Sequence, residues 1–262
     1  MINQQSKLLG ILKQQKIIYS LLFLMSPLLS YSQAPTGQLK ITFTNSVNNV
    51  PIILKDKVYQ NPFGEDYTVN KLKYYVGNYS LSESIIKKSK HHYFLVDASA
   101  QNNCLTIEVP VGEYNNLGFT LGVDSIDNCS GAQTGALDPI NDMFWTWNSG
   151  YVFFKLEGFS PSSSADLQRI QYHIGGYKGD NNAATAIQLF PTDQSMIAIK
   201  KNTTTEIEVV LHLDDFWNNP HAIKINETPV CMLPGALAKK IASNFNGLFS
   251  IKHISYLEED KN

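Results

Sequence analysis

Apolar and polar residues alternate along much of this chain. Leu39-Lys40-Ile41-Thr42-Phe43, Leu105-Thr106-Ile107-Glu108-Val109 and Ile207-Glu208-Val209-Val210-Leu211 each set an apolar face against a polar one. Period-two alternation marks a strand with one buried side, as in antiparallel sheets. Further strands are expected over 72–79, 93–96, 151–156, 186–189 and 249–254. Turn residues separate them: Asn48-Asn49, Pro62-Phe63-Gly64, Ser160-Pro161 and Gly179-Asp180-Asn181. Many short strands at this spacing predict an all-β chain folded as an antiparallel β-sandwich. One short helix is expected near the C-terminus. There Pro234-Gly235 opens Ala236 to Phe245, and Leu237, Ala238 and Ile241 share a face. Asp214 is expected to cap a short turn carrying Phe216 and Trp217.

The first segment reads differently. Lys7, Lys13 and Lys16 are its only charges and precede an apolar run from Ile17 to Met25; Pro27 and the small residues Ser30 and Ser32 follow. Basic, apolar, then small is the order of a secretory signal, expected over residues 1–32 and removed on export. The run is too short to span a bilayer, and no later stretch is long and apolar enough to do so. The expected organisation is a signal over 1–32, a sandwich over 33–257 and a charged tail over 258–262. The expected location is the periplasm or the extracellular space. Without the leader, 18 basic residues face 23 acidic ones. Mild acidity argues against a nucleic-acid partner. Arg169 is the sole arginine, which weakens any case for a phosphate or carboxylate ligand. In an oxidising compartment two of Cys104, Cys129 and Cys231 can pair, leaving one over; their spacing is unlike a zinc site and does not fix the connectivity.

Candidate chemistry gathers between Gly118 and Gly176. On a strand, Trp145 and Trp147 of Met143-Phe144-Trp145-Thr146-Trp147 face one side. They suit an aromatic platform, a redox-active pair or an inter-sheet core pair. Asp124, Asp127 and Asp138 can hold a hard cation or cap loop turns, without the spacing of an EF-hand. Lys155 and Glu157 share a strand face, where they can pair with each other or with a neighbouring strand. His173 lies in Tyr172-His173-Ile174-Gly175-Gly176, among aromatic and glycine residues. Histidine is the commonest transition-metal ligand. His91-His92 read as a hairpin tip, His212 as a strand residue and His253 as part of the last strand. No P-loop, dinucleotide fingerprint, His-Glu-x-x-His helix or Gly-x-Ser-x-Gly elbow is present. The chain reads as a binding protein rather than an enzyme, with no catalytic residue assigned.

Several blocks fall in an order that resembles the MbnP-like proteins. They are Tyr74-Tyr75-Val76-Gly77-Asn78, Gly118-Phe119 with Gly122-Val123-Asp124, Gly135-Ala136-Leu137-Asp138-Pro139, Met143-Phe144-Trp145-Thr146-Trp147, Lys155-Leu156-Glu157-Gly158 and His173-Ile174-Gly175-Gly176. Pro229-Val230-Cys231, Pro234-Gly235 and Ile241 to Asn244 extend the likeness. Those proteins are exported β proteins linked to bacterial copper homeostasis. The resemblance implies bound copper. It also implies a MauG-type di-haem partner that oxidises a tryptophan to kynurenine, whose amine joins histidine in binding the metal. Carried onto this chain, Trp145 or Trp147 is the oxidisable residue and His173 a ligand; His253, Asp124 and Asp138 are secondary metal candidates. Members often have a histidine in the first strand where this chain has Thr44-Asn45, so His253 or His212 is the substitute. The resemblance also implies a Cys129–Cys231 disulfide with Cys104 free. The alternative is an extracellular carbohydrate-binding or structural surface sandwich, with the tryptophans as a stacking platform or as core.

Overall fold

Alternation becomes structure as two sheets with apolar inner faces pressed together. The computed structural model describes residues 34–258 except 83, 86–92, 132 and 147. The expected signal, the His91-His92 tip, Trp147 and the last four tail residues lie outside the described residues. The fold is that of the unit Pro35–Asn262. Its strands are β1 (Thr36–Val47), β2 (Val50–Pro51), β3 (Val58–Gln60), β4 (Asp66–Thr68), β5 (Lys71–Leu81), β6 (Ser84–Ile85), β7 (Tyr93–Asp97), β8 (Cys104–Pro110) and β9 (Gly112–Tyr114). They continue with β10 (Leu117–Leu121), β11 (Phe144–Thr146), β12 (Gly150–Phe159), β13 (Arg169–Gly175), β14 (Thr185–Leu189), β15 (Ile197–Ile199), β16 (Thr203–His212), β17 (Val230–Cys231) and β18 (Phe249–Glu258). Each strand expected from the sequence lies within one of these.

One sheet runs β18-β16-β1, with β8 and β2 on the far side of β1; the other runs β14-β10-β5-β12-β13-β17, with β6 and β7 on β5 and β11 on β12. Leu39, Ile41 and Phe43 of β1 and Ile207, Val209 and Leu211 of β16 face inward and are buried. Across the gap, Tyr74 of β5 meets Phe43, with ring centroids 6.4 Å apart, and Phe249 at 5.7 Å. Phe154 carries the aromatic packing on to Phe216 and Phe245, at 5.6 and 5.0 Å. Burying each such side chain contributes about 1.5–3 kcal/mol. The helix Ala236–Ala242 continues as a 3-10 turn over Ser243–Gly247 and buries Ala238, Ile241 and Phe245 against this core; Leu237, expected on the same face, is exposed instead.

The antiparallel expectation holds for every described pairing but two: β1 with β16, and β13 with β17, run parallel. Alternation specifies which face is buried, not which way the neighbour runs, so the pattern does not contain this. Asp214 also departs from expectation. The turn Leu213–Phe216 has no side-chain cap; the Asp214 carboxylate instead accepts the Asn48 backbone N–H at 2.8 Å.

Candidate functional site

The outer face of the larger sheet carries charged side chains in register. Asp97 of β7 lies opposite Lys73 of β5, Lys73 opposite Lys155 of β12, and Lys155 opposite His173 of β13. Directly opposed residues share a face, so these four form a row. Beside it, Glu157 lies opposite Lys71. Lys155 and His173 are buried, at 3% and 7% exposure, which for ionisable groups calls for partners.

A lid supplies them. The segment from Gly135 to Met143 crosses above the row through two 3-10 turns, Gly135–Leu137 and Pro139–Asn141. Asp142, in a left-handed conformation at its end, sets Oδ2 2.8 Å from Lys71 Nζ and 3.0 Å from Lys155 Nζ. Lys155 Nζ also donates to the Asp142 carbonyl, and Lys73 Nζ donates to the Asn141 carbonyl at 3.4 Å. The other carboxylates are Asp97, 2.9 Å from Lys73, and Glu157, 3.3 Å from Lys71. Burial opposes ionisation of Asp142, yet Lys71 and Lys155 hold its carboxyl below the ordinary range. For Asp97 burial is likewise outweighed, by Ser99 and Lys73.

His173 is oriented by Glu157. Its Nε2 lies 2.7 Å from Glu157 Oε1. That hydrogen bond is the main cause holding the Glu157 carboxyl low; burial opposes it and Lys71 assists. An ionised carboxylate only accepts, so Nε2 carries the proton. In the neutral imidazole Nδ1 then has the lone pair, and no described residue bonds it. A carboxylate on one imidazole nitrogen is the usual arrangement when the other ligates a metal.

Trp145 completes the site. It stands on β11, which pairs with β12 through Phe144–Tyr151 and Thr146–Gly150. Its six-membered ring rests on Gly175: a Cβ built there would meet Cζ3 at 2.9 Å and Cη2 at 3.1 Å. Gly175 follows His173 by two on β13, hence on the same face. The half-buried indole therefore rests two residues along β13 from the buried imidazole.

The other sequence candidates are elsewhere. His253 is exposed on β18, in the smaller sheet, in register with Glu208. Asp124 caps the helix Ser125–Cys129 by accepting the Asp127 N–H at 2.9 Å, and Asp138 caps the second 3-10 turn by accepting the Ile140 N–H at 2.9 Å. Both fill the turn-capping role. All three cysteines are free thiols, which corrects the Cys129–Cys231 disulfide. Cys129 is exposed at the end of its helix, whereas Cys231 is buried opposite Tyr172 and its thiol is pushed up to about 11 by burial.

The first-strand substitutes for histidine also point away from His173. Asn45 turns into the core and accepts from Tyr74 Oη at 3.1 Å. Thr44 faces out on the smaller sheet into a cleft of about 540 Å3 that His212 also lines. There His212 is held between Ser46, 3.2 Å from Nδ1, and Ser250, 2.8 Å from Nε2. Among the described residues, no group of three or more His, Cys, Asp or Glu side chains is placed to hold a metal ion.

Lys155 was read as a strand-face charge able to pair with a neighbouring strand, but Lys71, Lys73, Asp97 and Asp142 were absent from the sequence reading. Lys71 and Lys73 alternate with apolar residues and read as a solvated face; only the lid, from more than sixty residues later, covers them.

The model of the MbnP family matches residues 36–233. The chain belongs to the MbnP family. This MbnP family member also shares its fold with the solved structure of MbnP from Methylosinus trichosporium, at a TM-score of 0.50 and 12% identity; the match covers 85% of this chain and 98% of that one. No curated protein sequence matches it. The stretch matched by the MbnP family model contains the lid, Trp145, Glu157 and His173. No helix among the described residues is long and apolar enough to cross a membrane.

Proposed function

We propose that this chain is an exported copper-binding protein rather than an enzyme, with its metal site at His173 and Trp145. One observation carries the reading: Trp145 lies on Gly175, two residues from His173 on the same strand face, while Glu157 leaves Nδ1 of that histidine to bind. An intact indole offers no good lone pair to a metal. Kynurenine, formed from Trp145 or Trp147 by a MauG-type di-haem partner, adds an aromatic amine, which with imidazole suits copper.

The test is copper stoichiometry at controlled redox state, wild type against His173→Ala, with peptide mass spectrometry across 143–151. Near-stoichiometric copper that is lost in the variant supports the site. Copper retained by His173→Ala, or absent from wild type carrying kynurenine, refutes it.

A second reading rests on the cleft of about 540 Å3 over the smaller sheet, where Thr42, Thr44, Ser46, Ser250, Glu208 and Lys252 offer polar groups. It suits a surface module for a neutral, hydroxyl-rich ligand such as a glycan. Chemical-shift changes confined to these residues on adding oligosaccharides would favour it; a flat response would remove it.

A further inference from the structure

We infer that the cleft over the smaller sheet binds a small alkylammonium ion through acceptor atoms of Thr44, Glu208 and Ser250. The inference rests on that cleft being a ligand site, replaces the neutral ligand of the second reading with a cation, and is independent of the copper site.

The direction of each hydrogen bond on the cleft floor decides what a ligand meets there. Ser46 has one hydroxyl proton, and its Oγ lies 3.3 Å from the Leu211 carbonyl oxygen and 3.2 Å from His212 Nδ1. Both bonds form at once only when the hydroxyl donates to the carbonyl and Nδ1–H donates to Oγ. Nε2 of the neutral imidazole then holds the lone pair, so it accepts from the Ser250 hydroxyl at 2.8 Å. Thr44 gives its own proton to Glu208 Oε1, 3.1 Å away. Lys252 donates to the same oxygen at 3.0 Å, and Oε2 has no partner among the described residues. Ser250 Oγ, Thr44 Oγ1 and Glu208 Oε2 therefore offer only lone pairs to a ligand. The complement is a donor, and a primary ammonium has three donors and no acceptor.

The register gathers these atoms at one place. Thr44 lies opposite Val210, and Val210 opposite Ser250, in a row across β1, β16 and β18. Glu208 stands two residues before Val210 on the same face. The acceptors thus surround an apolar spot, and Pro51, Ile52, Ala98 and Ala100 extend the apolar lining. Carbon chain and ammonium both find a match. The volume of about 540 Å3 falls within the range of small-molecule sites. Charge agrees in sign. Asp214, bound to the Asn48 N–H, and Asp215, within electrostatic reach of His212, add two carboxylates to Glu208 at this end of the sheet. Lys252 is the one lysine among the residues lining the cleft, and its side chain is 62% exposed. Hydrogen bonds to the ionised carboxylate are about twice as strong as neutral ones.

The test titrates the full protein with butylammonium, tetramethylammonium and cellobiose while backbone amide chemical shifts are followed, for wild type and Glu208→Gln. Tetramethylammonium carries the charge without any N–H; glutamine keeps the shape of glutamate without its charge, and an unchanged unfolding midpoint verifies the fold. The expected result is shifts on adding butylammonium that are confined to residues 42–46, 208–212 and 250–252. Glu208→Gln and the change to tetramethylammonium should each weaken binding about tenfold or more, the scale of a hydrogen bond to a charged group. Equal binding of the two cations, or Glu208→Gln binding like wild type, overturns the inference. Cellobiose shifting these residues while butylammonium does not overturns it and keeps the glycan reading. No response to any of the three removes both readings of the cleft.

Discussion

Trp145 occupies the space that a side chain at residue 175 would need. A Cβ on Gly175 would come within 2.9 Å of Trp145 Cζ3 and 2.5 Å of the Tyr151 carbonyl oxygen. Gly175→Ala must therefore displace the indole and disturb β12. The expected cost is about 1–3 kcal/mol of stability, typical of overpacking, with a red shift in tryptophan emission as the ring moves into water. Emission and unfolding midpoint both equal to wild type would show that the ring does not rest there.

The lid should depend on Lys155. Its partner Asp142 is 63% exposed and returns to water when the ammonium is removed, so no buried charge is stranded. What Lys155→Ala loses is packing and the bonds to the Asp142 carbonyl and carboxylate. About 1–2 kcal/mol is expected, at the scale of one or two partly buried hydrogen bonds. Limited proteolysis between residues 135 and 147 should speed up more than cleavage elsewhere. Uniform protection in the variant would mean that Lys71 and Lys73 suffice to hold the lid.

Acid should loosen the same face. Glu157, Asp97 and Asp142 titrate below their ordinary values of 4.5, 3.8 and 3.8 in the folded protein. Carboxyls whose folded value is depressed contribute stability that is present above the unfolded value and lost as pH falls through the folded one. Urea midpoints should stay level down to the ordinary value of 4.5 and then decline. Glu157→Gln should lower the plateau and flatten the decline. A decline of wild-type slope in Glu157→Gln would assign the acid response to other groups.

The three thiols should react in order of exposure. Cys129 is exposed, Cys104 half-buried and Cys231 buried. A maleimide reagent should label Cys129 first and leave Cys231 until the protein unfolds, since its raised thiol value and burial both suppress the thiolate. A Cys129–Cys231 disulfide found by non-reducing peptide mapping would restore the pairing that the family likeness implied.

Strands such as β1 were legible because their inner positions alternate, as in Leu39, Ile41 and Phe43, whereas β5 and β12 are buried on both faces and read as apolar runs. The C-terminal helix was legible from the apolar run Leu237, Ala238 and Ile241, of which the last two are buried and Leu237 is exposed. The direction of β16 beside β1 was not, because a parallel and an antiparallel neighbour bury the same alternate residues. At the site, His173 and Trp145 stood out by residue type and setting. Glu157 was visible as a strand-face charge, but its partners on β5 and β13 were not. Asp142 drew no notice because its role depends on a left-handed turn that carries it over distant lysines. His253 and the Cys129–Cys231 pairing were carried over from the family likeness; the structure puts His253 on the smaller sheet and leaves both thiols free, because a likeness of motifs does not tell which sheet, or which side of it, a residue outside them will occupy.

The position of the first strand governs when the molecule can finish folding. β1 is interior to its sheet, flanked by β8 and β16. Its bond from Lys40 to Glu206 spans 166 positions. A thread delivered leading end first can pair one edge of its opening strand with β2 and β8 early but must hold the other edge open until β16 has emerged. Pairing at such separation is slow, and the open edge invites mispairing meanwhile. Assembly of this sheet is therefore a late step of folding, made once Thr203–His212 is available to the open edge of β1.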